Sequence, residues 1–384
     1  MYEDSTLESL RTQLDRASST DLYRERLQGT GEAVETWDDF RELPFLTPAE
    51  LEADYAAHAP EGSLYDGAAM LSFTPLGEGL APVFDTAADL DHQARVNARV
   101  LERAGIEPGD RVLNTFGYHT FGTGLLFHRG LEALGAEVVP AGPGDSEGTA
   151  TTAAEFDVDA LVGNPSFALK LGAAGASVDT FVGAGEPFTA VPGYREEVKE
   201  ALGADTACDY FGTRQILPVA AETTAEDGLV VADDYALVEI VDPDTGEVLE
   251  AGERGEVVVT HLRKEAVPLI RYRTGDLAAL EKRDGAVVMP DGVIGRTDER
   301  LKIKGVKVYP ESLGTVLAAF DGLTGEYRLE VTRPESTDRL RLVVEGEADA
   351  EALRSAVEER LLVAPDAVDV TGNLETAGVV DERY

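Results

Sequence analysis

The feature that most constrains the fold is a regular alternation of short apolar segments with helix-forming ones through the middle of the chain. The turn Glu107-Pro108-Gly109-Asp110 leads into the apolar run Arg111 to Phe116. A helical stretch, Leu125 to Leu134, is stopped by Gly135, and Glu137-Val138-Val139-Pro140 returns as a strand. A strand, a helix and a strand within about 30 residues is the pattern of parallel strands joined by a crossover helix. Strands at Ala160 to Gly163, Thr180 to Gly183 and Thr206 to Phe211 continue it, with helical stretches at Phe167 to Leu171 and Tyr194 to Leu202. The central third therefore reads as α/β.

On either side the texture differs. Residues 1 to about 66 read as helical, with Leu7, Leu10 and Leu14 at three- and four-residue spacing and Thr47 placed to cap a helix that Pro48 begins. A helix is expected over Asp85 to Ala104. After Leu229 short strands alternate with turns, at Ala236 to Val241, Gly255 to Thr260 and Leu277 to Glu281, which predicts an antiparallel appendage. The last 85 or so residues form a small α+β unit, whose helix Ala350 to Leu362 puts Leu353, Val357 and Leu361 on one face. The expected division is a large domain, 1–295, and a small one, 296–384.

Composition narrows the function. Of 384 residues, 73 are acidic and 33 basic, a net charge of −40 that repels nucleic acid and anionic membranes. The acids are dispersed, which reads as adaptation of the whole surface to high salt. No apolar run approaches the roughly 20 residues that span a bilayer, and the start MYEDSTLESL lacks a secretory pattern, so a cytoplasmic location is expected. One cysteine, Cys208, and five scattered histidines leave no short metal-ligand spacing.

The strongest motif is Leu269-Ile270-Arg271-Tyr272-Arg273-Thr274-Gly275-Asp276, followed about 20 residues later by Gly295-Arg296-Thr297-Asp298 and a run to Lys307-Val308-Tyr309-Pro310. Leu43-Pro44-Phe45-Leu46-Thr47, Phe116-Gly117-Tyr118-His119-Thr120-Phe121, Gly183-Ala184-Gly185-Glu186-Pro187 and Phe211-Gly212 precede it in order. Taken alone, Phe211, Tyr118 and Phe121 read as core aromatics, Asp276 as the close of a turn, and His128 and Cys208 as packing residues. Taken together, the segments resemble the AMP-forming adenylate superfamily, and within it the phenylacetate-CoA ligase family.

The resemblance implies an adenylate-forming fold with a mobile C-terminal domain, and ATP-dependent conversion of an aryl or other carboxylic acid to acyl-AMP and then acyl-CoA. It implies ATP or AMP, CoA and Mg2+ as cofactors, and a homodimer. It assigns Asp276 and Arg296 to the ribose and phosphate side of AMP, Phe211, Gly212, Gly185 and Glu186 to adenine, Tyr118 and Phe121 to the acyl pocket, and Asp298 to the hinge. Lys302 and Lys304, in an island of cations beside Gly305, become the seat for CoA or another anion; their alternative is a solvated basic face.

Three elements depart from the family pattern. Its phosphate loop corresponds to Met70 to Pro82, where Ser72-Phe73-Thr74-Pro75-Leu76-Gly77-Glu78-Gly79 has lost most hydroxyls and the lysine and gained a proline and an acid. Arg214 and Gln215 stand where the family has a Thr or Ser and a magnesium-binding Glu, and an amide is the poorer ligand for a hard cation, which disfavours Mg2+. Val379 takes the place of the C-terminal lysine that stabilises the forming adenylate. The alternative reading is thus a degenerate, non-catalytic paralogue that binds AMP or an acyl-adenylate, or partners an active ligase.

Overall fold

Side-chain caps set where the N-terminal helices begin. Helices α1 (Asp4–Ser18) and α2 (Asp21–Arg26) are followed by α3 (Trp37–Arg41) and α4 (Pro48–Ala57), each of which opens on a capping box, Thr36 with Asp39 and Thr47 with Glu50. The hydroxyl accepts one first-turn N–H and the carboxylate accepts the N–H of the threonine itself, pairing groups a helix start would leave open. Pro48 occupies the first turn of α4, where its missing N–H costs nothing. Leu7, Leu10, Leu14 and Leu27 enter the core.

The computed structural model describes residue 2 and residues 4–27, 34–63, 67–76, 79–297, 301–303, 306–308, 310, 312–332, 334, 338–361, 363–374 and 376–381. The chain forms two compact units, Met1–Thr189 with Arg195–Val293, and Ala190–Tyr194 with Ile294–Tyr384.

The stretch expected as a phosphate loop is a hairpin of β1 (Met70–Leu76) and β2 (Gly79–Asp85), paired from Met70↔Asp85 to Leu76↔Gly79. Only residues 77 and 78 separate the strands, so Glu78 lies outside the described residues. Opposed residues share a face. One face, with Ser72, Thr74, Ala81, Val83 and Asp85, is buried; the other carries Leu71, Phe73, Pro75, Leu80 and Pro82 and leaves Leu71 and Leu80 exposed. The hairpin thus turns its polar groups inward. Asp85, expected in the next helix, ends β2 instead, and Thr86 with Asp89 caps α5 (Ala87–Arg103).

The expected alternation then follows: β3 (Arg111–Asn114), α6 (Thr123–Leu134), β4 (Glu137–Pro140), α7 (Ser146–Glu155), β5 (Ala160–Gly163), α8 (Pro165–Ala173), β6 (Thr180–Ala184), α9 (Tyr194–Leu202) and β7 (Thr206–Phe211). Of these, α7 is a further helix that was not expected. The five strands pair in parallel in the order β4-β3-β5-β6-β7. Every residue of β5 and β6 is buried, as strands of a parallel sheet require. The sheet is extended antiparallel by β8 (Ala220–Ala221) and β9 (Leu229–Val231). A second, antiparallel set follows, β10 (Ala236–Val241), β11 (Gly255–His261) and β12 (Tyr272–Ala278), with β13 (Glu281–Arg283) and β14 (Ala286–Met289) returning to β9. The antiparallel appendage is where alternation placed it, although its third strand is the Tyr272–Ala278 motif rather than Leu277 to Glu281.

The smaller unit contains β15 (Gly295–Arg296), the pair β16 (Leu301–Ile303) and β17 (Val306–Val308), α10 (Ser312–Leu317), β18 (Leu323–Thr332), β19 (Arg339–Gly346), α11 (Ala350–Leu361), β20 (Ala367–Thr371) and β21 (Gly378–Asp381). Its sheet runs β20-β19-β18-β21. Leu353, Val357 and Leu361 of α11 pack with Leu329, Val331, Leu340 and Leu342 in a separate core. No helix among the described residues is long and apolar enough to cross a membrane.

Candidate functional site

Parallel strands place the segments that follow them along one edge of the sheet, the edge where open α/β sheets bind ligands. Four sequence-predicted residues lie there after β6 and β7. After β6, Gly185 takes φ +85°, and a Cβ on it would stand 2.8 Å from Asn164 Nδ2. Asn164 Nδ2 donates to Ala184 O at 2.9 Å. Glu186 accepts from Ser166 N–H at 3.0 Å and Ser166 Oγ at 2.5 Å, so its carboxylate caps the start of α8 where the helix dipole favours an anion. Asn164 and Ser166, which fix this turn, carry no sequence motif of their own. After β7 stand Phe211, half-buried, and Gly212, where a Cβ would meet Leu217 Cδ1 at 2.7 Å.

The edge also carries the segment between β3 and α6. Tyr118 is half-buried; its hydroxyl accepts from Asn114 Nδ2 at 2.8 Å and bonds His128 Nδ1 at 3.0 Å, and burial pushes its pKa up to about 12. His128, read as packing, therefore orients a tyrosine. Phe121 is exposed, edge-on to His119 with ring centroids 5.1 Å apart. Phe116 is instead a core aromatic, stacked on Phe127 at 4.5 Å.

Behind this edge, a buried carboxyl supports the turn after β6. Asp209 Oδ2 accepts Thr189 N–H at 3.0 Å, and burial raises its pKa to about 6. Its neighbour Glu222 is already held by Arg195 through two bonds of 2.7 and 2.9 Å. Cys208, beside it, is buried with its pKa pushed up to about 12, an inert thiol as expected.

Asp276 is placed by a bulge. Between the pairs Glu256↔Leu277 and Val258↔Arg273, Thr274, Gly275 and Asp276 face Val257 alone. Gly275 makes this possible at φ +80°, a conformation that a Cβ disfavours. Its N–H donates to Glu256 Oε1 at 3.1 Å, Thr274 Oγ1 donates to Val257 O at 2.9 Å, and Asp276 N–H donates to Thr274 Oγ1 at 3.0 Å. Asp276 is thus buried on a strand, not closing a turn. The two arginines of the motif are structural. Arg271 binds Glu239 through bonds of 3.0 Å and lies 4.1 Å from the Phe45 ring centroid, while Arg273 Nε binds Glu256 at 2.8 Å. Leu46 N–H donates to Arg271 O and Arg273 N–H to Leu46 O, both at 2.9 Å, so two segments distant in sequence form one unit.

The hairpin holds a network that the sequence did not announce. Asp85 is paired with Arg214 Nη2 at 2.6 Å and with Lys264 Nζ; burial alone would raise its pKa, but the two cations hold it below the usual carboxylate range. Asp89 lies 3.5 Å from Lys264 and accepts N–H groups of Thr86, Glu265 and Ala266. These carboxylates are committed, Gln215 offers only an amide, and no group of three His, Cys, Asp or Glu among the described residues could hold a metal ion. The donor set therefore does not fit a protein-held Mg2+.

In the smaller unit, Arg296 ends β15 and is exposed. Val379 lies exposed on β21, paired with Leu329. Lys302 is on β16; Lys304 and Asp298 lie outside the described residues.

Residues 305–367 match the family described as AMP-binding enzyme C-terminal domain. The chain is 34% identical over 346 residues to the phenylacetate-coenzyme A ligase of Escherichia coli (strain K12), covering 84% of this chain and 77% of that one. It is 31% identical over 369 residues to the phenylacetate-coenzyme A ligase of Pseudomonas putida, covering 90% and 82%. In fold it is similar to 2-hydroxyisobutyryl-CoA ligase in the postadenylation state in complex with R3-HIB-AMP, with a TM-score of 0.83 at 24% identity over 99% of this chain and 89% of that one. Apo MatB from Rhodopseudomonas palustris has a TM-score of 0.61 at 17% identity over 84% and 68%. The architecture is thus the adenylate-forming fold.

Proposed function

Since the chain belongs to the phenylacetate-CoA ligase family, we propose that it uses ATP to convert a carboxylic acid to acyl-AMP with release of pyrophosphate, and then transfers the acyl group to CoA with release of AMP. The observation that carries this is the match to ligases of that name across most of both chains.

In this reading the turn pinned by Ser166 and Asn164 borders adenine with Gly185, Glu186, Phe211 and Gly212. Asp276, raised out of its ladder by the bulge, accepts ribose hydroxyls, as a carboxylate with two acceptor oxygens can. Arg296 belongs to the same nucleotide. Tyr118 and Phe121 take the body of the acid, an aryl acid following from the relatives' names, while Asp298 is assigned to the hinge and Lys302 and Lys304 to CoA. No step is assigned to Mg2+.

The test is pyrophosphate release from ATP with a panel of aryl and aliphatic acids, followed by detection of the thioester after CoA is added. Acid-dependent pyrophosphate and thioester are the expected products. AMP binding by folded protein with no turnover on any acid would instead establish the non-catalytic alternative.

A further inference from the structure

Helix α6 begins without the cap that α3, α4, α5 and α7 carry. Its first flanking residue, Gly122, sits at φ +74° and has no side chain to accept first-turn N–H groups, and the turn Thr123-Gly124-Leu125 contains no acid. The other four each have a Thr or Asp cap and an acid in the first turn. In a chain with a net charge of −40, this twelve-residue helix keeps its positive end open, the arrangement that receives anions. Gly124 N–H is given to Gly117 O, so the helix offers those of Thr123 and Leu125.

A second feature faces the same point independently. The Arg214 side chain is 5% exposed. Its Nη2 is held by Asp85, but its Nε is buried without a hydrogen-bond partner. A Cβ on Gly122 would stand 3.1 Å from Ser72 Cβ, 3.4 Å from Arg214 Nε and 3.6 Å from Ser72 Oγ. The guanidinium edge, the uncapped helix start and the Ser72 hydroxyl, which would have to turn from its 3.4 Å bond to Val83 O to meet a ligand, therefore meet at one glycine. A buried guanidinium N–H without an acceptor is costly, and an oxyanion is the acceptor that would remove that cost.

We propose that Arg214, Ser72 and the start of α6 form an oxyanion site, and that its ligand is the carboxylate of the acid to be activated. The phosphate of the nucleotide is the other source of the same chemistry. Phe121 immediately precedes Gly122, so the body and the carboxylate of such an acid would be met by one segment of the chain. The positive charge meeting that carboxylate is a fixed guanidinium oriented by Asp85. This inference rests on the acid-activation reading above.

Calorimetric titration of the full chain with phenylacetate, benzoate and octanoate, and separately with AMP and pyrophosphate, tests it in the wild type, Arg214→Met and Leu125→Glu. Arg214→Met is expected to weaken the tightest-binding acid by about tenfold or more, with AMP affinity kept within about twofold. Leu125→Glu places an acid in the first turn at an exposed position, which favours the helix while repelling the ligand; it should weaken the same acid several-fold at an unchanged or raised melting temperature. Should Arg214→Met fail to fold, Leu125→Glu decides alone.

An acid affinity unchanged in the folded variants, or no acid bound by a wild type that binds AMP, overturns the site. Loss of pyrophosphate or AMP affinity with acid affinity intact overturns the carboxylate and assigns the phosphate. A wild type that binds neither acid nor AMP would remove the acid-activation reading itself.

Discussion

Two buried aspartates of the larger unit are treated in opposite ways. Asp85, at the end of the hairpin, is shared by Arg214 and Lys264, which outweigh its burial and lower its pKa. Asp209, behind the turn that carries Glu186, has Thr189 as its hydrogen-bond partner, because the nearby Arg195 is engaged by Glu222; burial wins and its pKa rises to about 6. Both are buried, yet their charge behaviour is opposite, and the availability of a cation decides which. The hairpin is locked by charge, whereas the turn is held by hydrogen bonds to neutral groups and a helix start.

The strongest way to break the contrast is Asp85→Ala. Removing the carboxylate leaves two cations buried without their shared partner, and a loss of about 3–5 kcal/mol of unfolding free energy is expected in urea titrations. A loss below about 1 kcal/mol would show that the charge lock does not hold the hairpin.

Next in size is the pH response. A carboxyl whose folded pKa lies above its unfolded value binds an extra proton in the native state, so the stability it adds below about pH 4 is lost as pH rises through about 6. The amount is on the order of 3 kcal/mol. Asp209→Asn keeps an acceptor for Thr189 N–H without a titrating charge, and should flatten this part of the profile and equal or exceed the wild type at pH 7. For Asp85 the sign is reversed: its contribution is present above the unfolded pKa and is lost as pH falls through its lowered folded value. Unfolding curves from pH 3 to 7 measure both.

The smallest effect is expected on the outward face of the hairpin. Leu80 is more than half exposed there, so Leu80→Lys should change stability by no more than about 0.5 kcal/mol. A larger loss would mean that this face is covered and that the lock does not act alone.

Much of the fold was legible because its signals are local. The cap at Thr47, the stop at Gly135 and the apolar runs of β5 and β7 each depend on residues within a few positions, and each formed close to its expected bounds. Asp85 was misplaced for the same reason: an acid before Thr86 resembles a helix start, and the β2 pairing that claims it comes from the other strand. The Thr-Gly-Asp motif was visible as a motif, but not as a bulge, since the bulge exists only against Val257 of β11.

The sequence by itself determined the α/β order, the caps and the run of motifs that place the chain among phenylacetate-CoA ligases, because periodicity, turn chemistry and motif order are written along the chain. Only the tertiary structure decided which charges meet. Lys264 reaches Asp85 across 179 positions and Arg214 reaches it across 129. In a buried setting, where an unpaired charge is far more costly than a paired one, that three-dimensional pairing sets whether a carboxylate locks a hairpin, titrates near pH 6, or leaves a guanidinium N–H ready for a ligand.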